Sequence, residues 1–158
     1  MGEAEESVDT VELVLPSRAE VVAIARLVVG AIASGDPDFD EERAADLRLA
    51  VSEACTNAIQ AQLARAAGNG SDVPPVLVRC VHGPGRITVT VHDDAGGFDP
   101  SALDPHPEVT DPARLDHEGG LGIPLMRMFA DDLEFRPSPG GTTVRMTFRP
   151  RTPTGWST

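Results

Sequence analysis

Three short stretches of the 158-residue chain hold residue types at spacings that can do chemistry. In the first, Glu53 and Asn57 stand four positions apart inside residues 49–59, which read as helix. Four positions is about one turn, so a carboxylate and an amide oxygen leave the same face. Such a pair suits an oxygen-ligated Mg2+, or a base beside one, although a solvated helix face has the same spacing. In the second stretch Asp93 closes a β run and Gly97 follows four residues later. A carboxylate at a strand exit can accept a hydrogen bond from an exocyclic amine such as that of adenine, and the glycine permits close backbone approach. A plain Asp-Gly turn looks the same. The third stretch is Glu118-Gly119-Gly120-Leu121-Gly122 at the start of a helical pattern. Glycines there expose backbone N–H groups to a phosphate, or they form a hinge. The stretch is neither a Walker loop nor a G-x-G-x-x-G that follows a strand.

The elements that must position these groups are legible from periodicity. Residues 11–15 read as a first strand. Ser17 is an expected N-cap, completed as a capping box by Glu20. Val21, Ile24, Ala25, Val28, Val29 and Ile32 then recur at helical spacing to about residue 34. A longer helix opens at Asp40-Glu41-Glu42, whose charge favours a helix start, and stops before Gly68-Asn69-Gly70-Ser71. Residues 76–81 and 87–91 form a hairpin around His82-Gly83-Pro84-Gly85. Residues 94–120, rich in Gly, Pro, Asp and His, read as a long functional loop, a lid by length and composition. Residues 121–130 form a third helix, provided that Pro124 falls in its first turn. Residues 133–136 and 142–148 are the last strands. This order predicts an α+β fold: a two-layer sandwich with one mostly antiparallel, mixed sheet of about five strands and three main helices on one face. The expected boundaries are a leader over 1–9, one domain over 10–149 and a tail over 150–158.

Composition narrows the function classes. Hydrophobic residues are 41% of the chain and aromatics 4%, with no Tyr, so the core is expected to be Val, Leu, Ile and Ala. The net charge of −12 argues against direct nucleic-acid binding, yet a single nucleotide held by backbone amides and a metal ion is compatible with it. Cys55 and Cys80 lack metal-ligand spacing and read as buried thiols in a reducing cytoplasm. The acidic start is unlike a signal peptide, and no apolar run spans a membrane.

The ordered clusters, completed by Gly140-Gly141-Thr142-Thr143 before the last strand, resemble the Bergerat fold of the GHKL superfamily of ATP-binding domains over residues 11–148. Within it, the small size, the initial strand and residues 125–132 are similar to the anti-sigma-factor serine/threonine kinases of the sporulation and general-stress type. The resemblance implies ATP or ADP with Mg2+ as ligands, Asn57 as the Mg2+ ligand and Glu53 as general base. It further implies that Asp93 reads the adenine amine with Gly97 beside the ring, and that Gly120, Leu121 and Gly122 cover the phosphates. Thr143 is implied near the adenine end. The expected partners are a sigma factor, an anti-anti-sigma protein of the STAS type and a second copy in a homodimer. The chain contains no Lys, so Arg114 and Arg127 are candidate phosphate contacts. The family's Asp-x-Gly-x-Gly has Ala95 at its first glycine, which would be strained if that position required positive φ. A non-catalytic anti-sigma module with a degenerate site is therefore the alternative, and a split histidine-kinase domain a further one.

Overall fold

Alternation decides which way the first strand faces. In the computed structural model, which describes residues 7–70, 72–95 and 122–151, β1 (Asp9–Leu15) turns Leu13 and Leu15 toward the core and leaves Glu12 and Val14 outside. β2 (Val76–Gly83) and β3 (Arg86–Asp93) form the expected hairpin, with Gly85 at φ +65° in its turn. β4 (Asp132–Ser138) and β5 (Gly141–Phe148) form a second one. The five strands lie in the order β1-β2-β3-β5-β4, and all four pairings are antiparallel. Pro137 is tolerated because β4 is an edge.

A single 3-10 turn (Ala19–Val21) leads into α1 (Val22–Ser34). The expected capping box does not form there. Ser17 Oγ instead donates to the Pro74 carbonyl at 2.6 Å, tying the exit of β1 to the entry of β2. The exposed first N–H groups of the helix can bond water, whereas a shielded carbonyl has no such substitute. α2 (Glu41–Asn69) starts as expected: Asp40 accepts from Arg43 N at 2.7 Å, with Glu41 and Glu42 in the first turn. It ends at Gly70, whose φ of +66° suits a left-handed C-cap. α3 (Gly122–Phe129) holds Pro124 in its first turn, where the missing N–H costs nothing.

α2 runs across the sheet between α1 and α3. Its inner face, with Leu47, Val51, Ala54, Cys55 and Ala58, is buried over Val78, Val89, Val91, Met146 and Phe148. Each fully buried Val or Leu contributes about 1.5–3 kcal/mol, and the alanines let neighbouring helices approach closely. Burial pushes the Cys55 thiol up to about 12 and that of Cys80 up to about 11, so both are inert core groups. The other face of the sheet carries rows such as Glu12, Arg79, Thr90, Arg145 and Glu134, and no described helix covers it. Among the described residues no helix is long and apolar enough to cross a membrane.

Candidate functional site

α2 presents Glu53 and Asn57 half-buried, one turn apart, while Ala54, Cys55 and Ala58 point into the core. α3 begins directly over this pair. A Cβ added to buried Gly122 would lie 2.8 Å from Asn57 Nδ2, 3.3 Å from Asn57 Oδ1 and 3.2 Å from Glu53 Oε2. Glycine is what lets the α3 backbone come so near both side chains. Neither Glu53 nor Asn57 has a hydrogen-bond partner among the described residues. No described cluster of three or more His, Cys, Asp or Glu could cage a metal. One amide oxygen with a nearby carboxylate fits Mg2+, which keeps several waters and shares substrate phosphates rather than needing a full protein cage.

A second constellation closes the end of β3. Asp93 is 7% exposed, and its carboxylate accepts a hydrogen bond from Ala95 N at 3.0 Å, with the Thr142 backbone beside it in the pairing of the two strands. Burial raises its pKa above the ordinary aspartate value, against the lowering by these backbone groups and by His92. Thr142 is buried opposite Asp93 in the β3–β5 pairing. The preceding Gly141 is obligatory, since a Cβ there would sit 1.9 Å from the Asp93 carbonyl oxygen. The turn after Asp93 is tied from both sides. Arg65 of α2 donates to the Asp94 carbonyl. His92 bridges Asp94 Oδ1 at 3.0 Å and Thr143 Oγ1 at 2.8 Å. No described non-glycine residue has positive φ, so Ala95 sits in this turn without the strain that sequence alone allowed.

The structure thus brings Glu53, Asn57 and Gly122 together and holds Asp93 buried at a strand end. It does not bring Thr143 to that side. Thr143 pairs with His92 on the uncovered face of the sheet, and Thr142 occupies the inner face beside Asp93. The signal was present in strand parity: Val144, Met146 and Phe148 point inward, so Thr142 does too. Arg127 is exposed on α3. Gly97, Gly120, Leu121 and Arg114, and nearly all of the expected lid, lie outside the described residues. Arg65 and His92 were given no role from sequence, and Gly141 entered only as part of the Gly-Gly-Thr-Thr cluster. Only Gly141 had a readable cue, the Gly-Gly pair before an alternating strand.

Residues 15–148 match the histidine kinase-like ATPase domain model. A serine-protein kinase RsbW of Bacillus pumilus is 36% identical over 146 residues, covering 90% of this chain and 86% of that one. The RsbW of Bacillus subtilis is 33% identical over 145 residues, covering 88% and 84%. An anti-sigma F factor of Thermoanaerobacter is 34% identical over 145 residues, covering 90% and 94%. In fold, the chain is similar to the structure of the RsbU and RsbW domains of Rv1364c from Mycobacterium tuberculosis, with a TM-score of 0.61 at 17% identity, covering 89% of this chain and 32% of that one. The chain belongs to the histidine kinase-like ATPase domain family, alongside the RsbW serine-protein kinases and anti-sigma F factors.

Proposed function

We propose that this protein is an anti-sigma factor that binds Mg-ATP, sequesters a sigma factor and phosphorylates a Ser or Thr of an anti-anti-sigma antagonist of the STAS type. The observation that carries the reading is the approach of Gly122 to the Glu53–Asn57 pair. It puts a helix N-terminus, an amide oxygen and a carboxylate at one place. Arg65, which holds the turn after Asp93, lies eight residues beyond Asn57 on α2, about 12 Å along the axis. An extended nucleotide spans such a length, with phosphates at Asn57 and adenine at Asp93.

In this reading Asp93 accepts a hydrogen bond from the adenine amine, with Thr142 in the position first expected of Thr143. The reading assigns Gly97 to the ring and Gly120, Leu121 and Gly122 to the phosphates; of these only Gly122 lies among the described residues. Asn57 would hold Mg2+, which neutralises phosphate charge when bound. Glu53 takes the proton from the acceptor hydroxyl as its oxygen bonds the γ-phosphorus and the bond to the β-phosphate oxygen breaks, releasing ADP. Nucleotide state then biases which partner is bound. Two free buried thiols suit a cytoplasmic setting, and the open edge of β1 suits a homodimer.

The test combines the purified protein, γ-labelled ATP and a candidate antagonist from the same genome. Labelled phosphoserine or phosphothreonine on the antagonist supports the reading. No binding at millimolar Mg-ATP, together with no transfer to any such antagonist, would favour the non-catalytic module with a degenerate site.

A further inference from the structure

We infer that Arg43, far from the Glu53–Asn57 pair on α2, is a positioning residue for the nucleotide site, because it fixes where α3 sits. This rests on the reading that Gly122, Asn57 and Glu53 bind Mg-ATP. Arg43 is an odd cation. It occupies the first turn of α2, at the positive end of the helix dipole, and is 4% exposed. Both circumstances disfavour a positive charge, so its surroundings must compensate.

They do so by nearly saturating the guanidinium. Nη1 donates to the Phe129 carbonyl at 2.6 Å and to Asp46 Oδ2 at 3.3 Å, Nη2 donates to Asp131 Oδ2 at 2.5 Å, and Nε donates to the Arg149 carbonyl at 2.8 Å. The group also lies 5.3 Å from the centre of the Phe148 ring. Asp131 further accepts from Arg149 N at 2.6 Å, and Arg151 bridges Asp46 and Glu42. Phe129 is the last residue of α3, so Arg43 caps from another helix one of the carbonyls that α3 leaves unpaired.

The consequence is at the other end of α3. Gly122 and Met126, four residues apart, are its buried positions, and buried Ala130 continues that spacing just past its end. Two of the three are small, so shape alone resists sliding along α2 weakly. An eight-residue helix moves as a rigid rod of about 12 Å. Holding Phe129 in register therefore holds Gly122 in register over Asn57 and Glu53. Lysine keeps the charge but cannot make this fork of bonds.

The test is calorimetric titration of Mg-ATP into wild type, Arg43→Met and Arg43→Lys at a temperature where circular dichroism shows each fully folded. Wild type should bind in the micromolar range, and both variants at least about tenfold more weakly. A residue that only stabilises the fold would lower Tm but leave the affinity of folded protein unchanged, and that result overturns the inference. Should Arg43→Met fail to fold, Asp131→Asn removes the carboxylate charge that holds the guanidinium against the Phe129 carbonyl and should weaken binding by about threefold; unchanged affinity there also overturns it. Absence of binding by wild type removes the nucleotide site and this inference with it, whereas wild-type binding matched by the variants removes the inference alone.

Discussion

The two ends of the α2–α3 seam are built in opposite ways. At one end Arg43 meets Asp46, Asp131, Phe129, Arg149 and Phe148, and almost every donor is used. At the other end Glu53 and Asn57 stand half-buried under Gly122 without a hydrogen-bond partner among the described residues. Polar groups that serve only stability are normally satisfied within the protein, because leaving them unpaired in a shielded place is costly. The saturated end is structural in construction. At the other end the described residues leave the bonding capacity of Glu53 and Asn57 unused, and the proposed function assigns that capacity to Mg-ATP.

Substitutions at each end sharpen or break this contrast. Glu53→Gln should reduce phosphoryl transfer by about 10²–10⁴-fold, as expected for losing a general base, with Mg-ATP affinity and Tm little changed. Undiminished transfer in a phosphorylation assay removes Glu53 from that role. Next in size, Gly122→Ala drives a methyl into Asn57 and should weaken Mg-ATP binding by about 10–100-fold, while circular dichroism stays native. If affinity holds, the close approach of α3 has no bearing on the ligand.

Asp93→Asn tests a third place, where stability and binding pull apart. Burial raises the folded-state pKa of Asp93, so protonated Asp93 favours the native state at low pH, and that contribution is lost as pH rises through the folded value. Above that value the buried carboxylate is a cost to the nucleotide-free protein. Asp93→Asn should therefore raise Tm by about 1–4 °C in a thermal melt while weakening ATP binding about tenfold or more. A lower Tm with unchanged affinity contradicts both parts. The smallest effect is expected away from the seam, at Asp36. Burial there raises the pKa, but the 2.7 Å hydrogen bond from His82, the Asp38 amide and the His82 charge outweigh it, and the net shift is downward. Its stabilisation is present at neutral pH and lost as pH falls through that lowered value. Asp36→Asn should lower Tm by about 2–4 °C at pH 7, with the difference closing in acid and ATP binding unaffected.

Much of the architecture was legible because it is written in local periodicity. The alternation in β5, the Asp40 cap of α2 and the turn position of Pro124 each depend on neighbours in sequence. Glu53, Asn57 and Gly122 were legible for a different reason: one turn of helix and a glycine at a helix start announce their geometry directly. Ser17 was misread because its partner, the Pro74 carbonyl, lies 57 residues away. The Arg43 network was illegible for the same cause, since its bonds to Phe129 and Arg149 cross 86 and 106 residues. Thr143 and Thr142 were a matter of parity. One residue of register separates the inner face from the outer, and family resemblance did not count it.

The central claim is that the unsaturated end of the seam receives Mg-ATP, and calorimetric titration of Mg-ATP into wild type and Asn57→Ala tests it most directly. The expected result is micromolar binding by wild type that the substitution reduces by at least about tenfold, in keeping with loss of a Mg2+ ligand. No heat of binding to wild type at millimolar Mg-ATP, or equal affinity in Asn57→Ala, would contradict it.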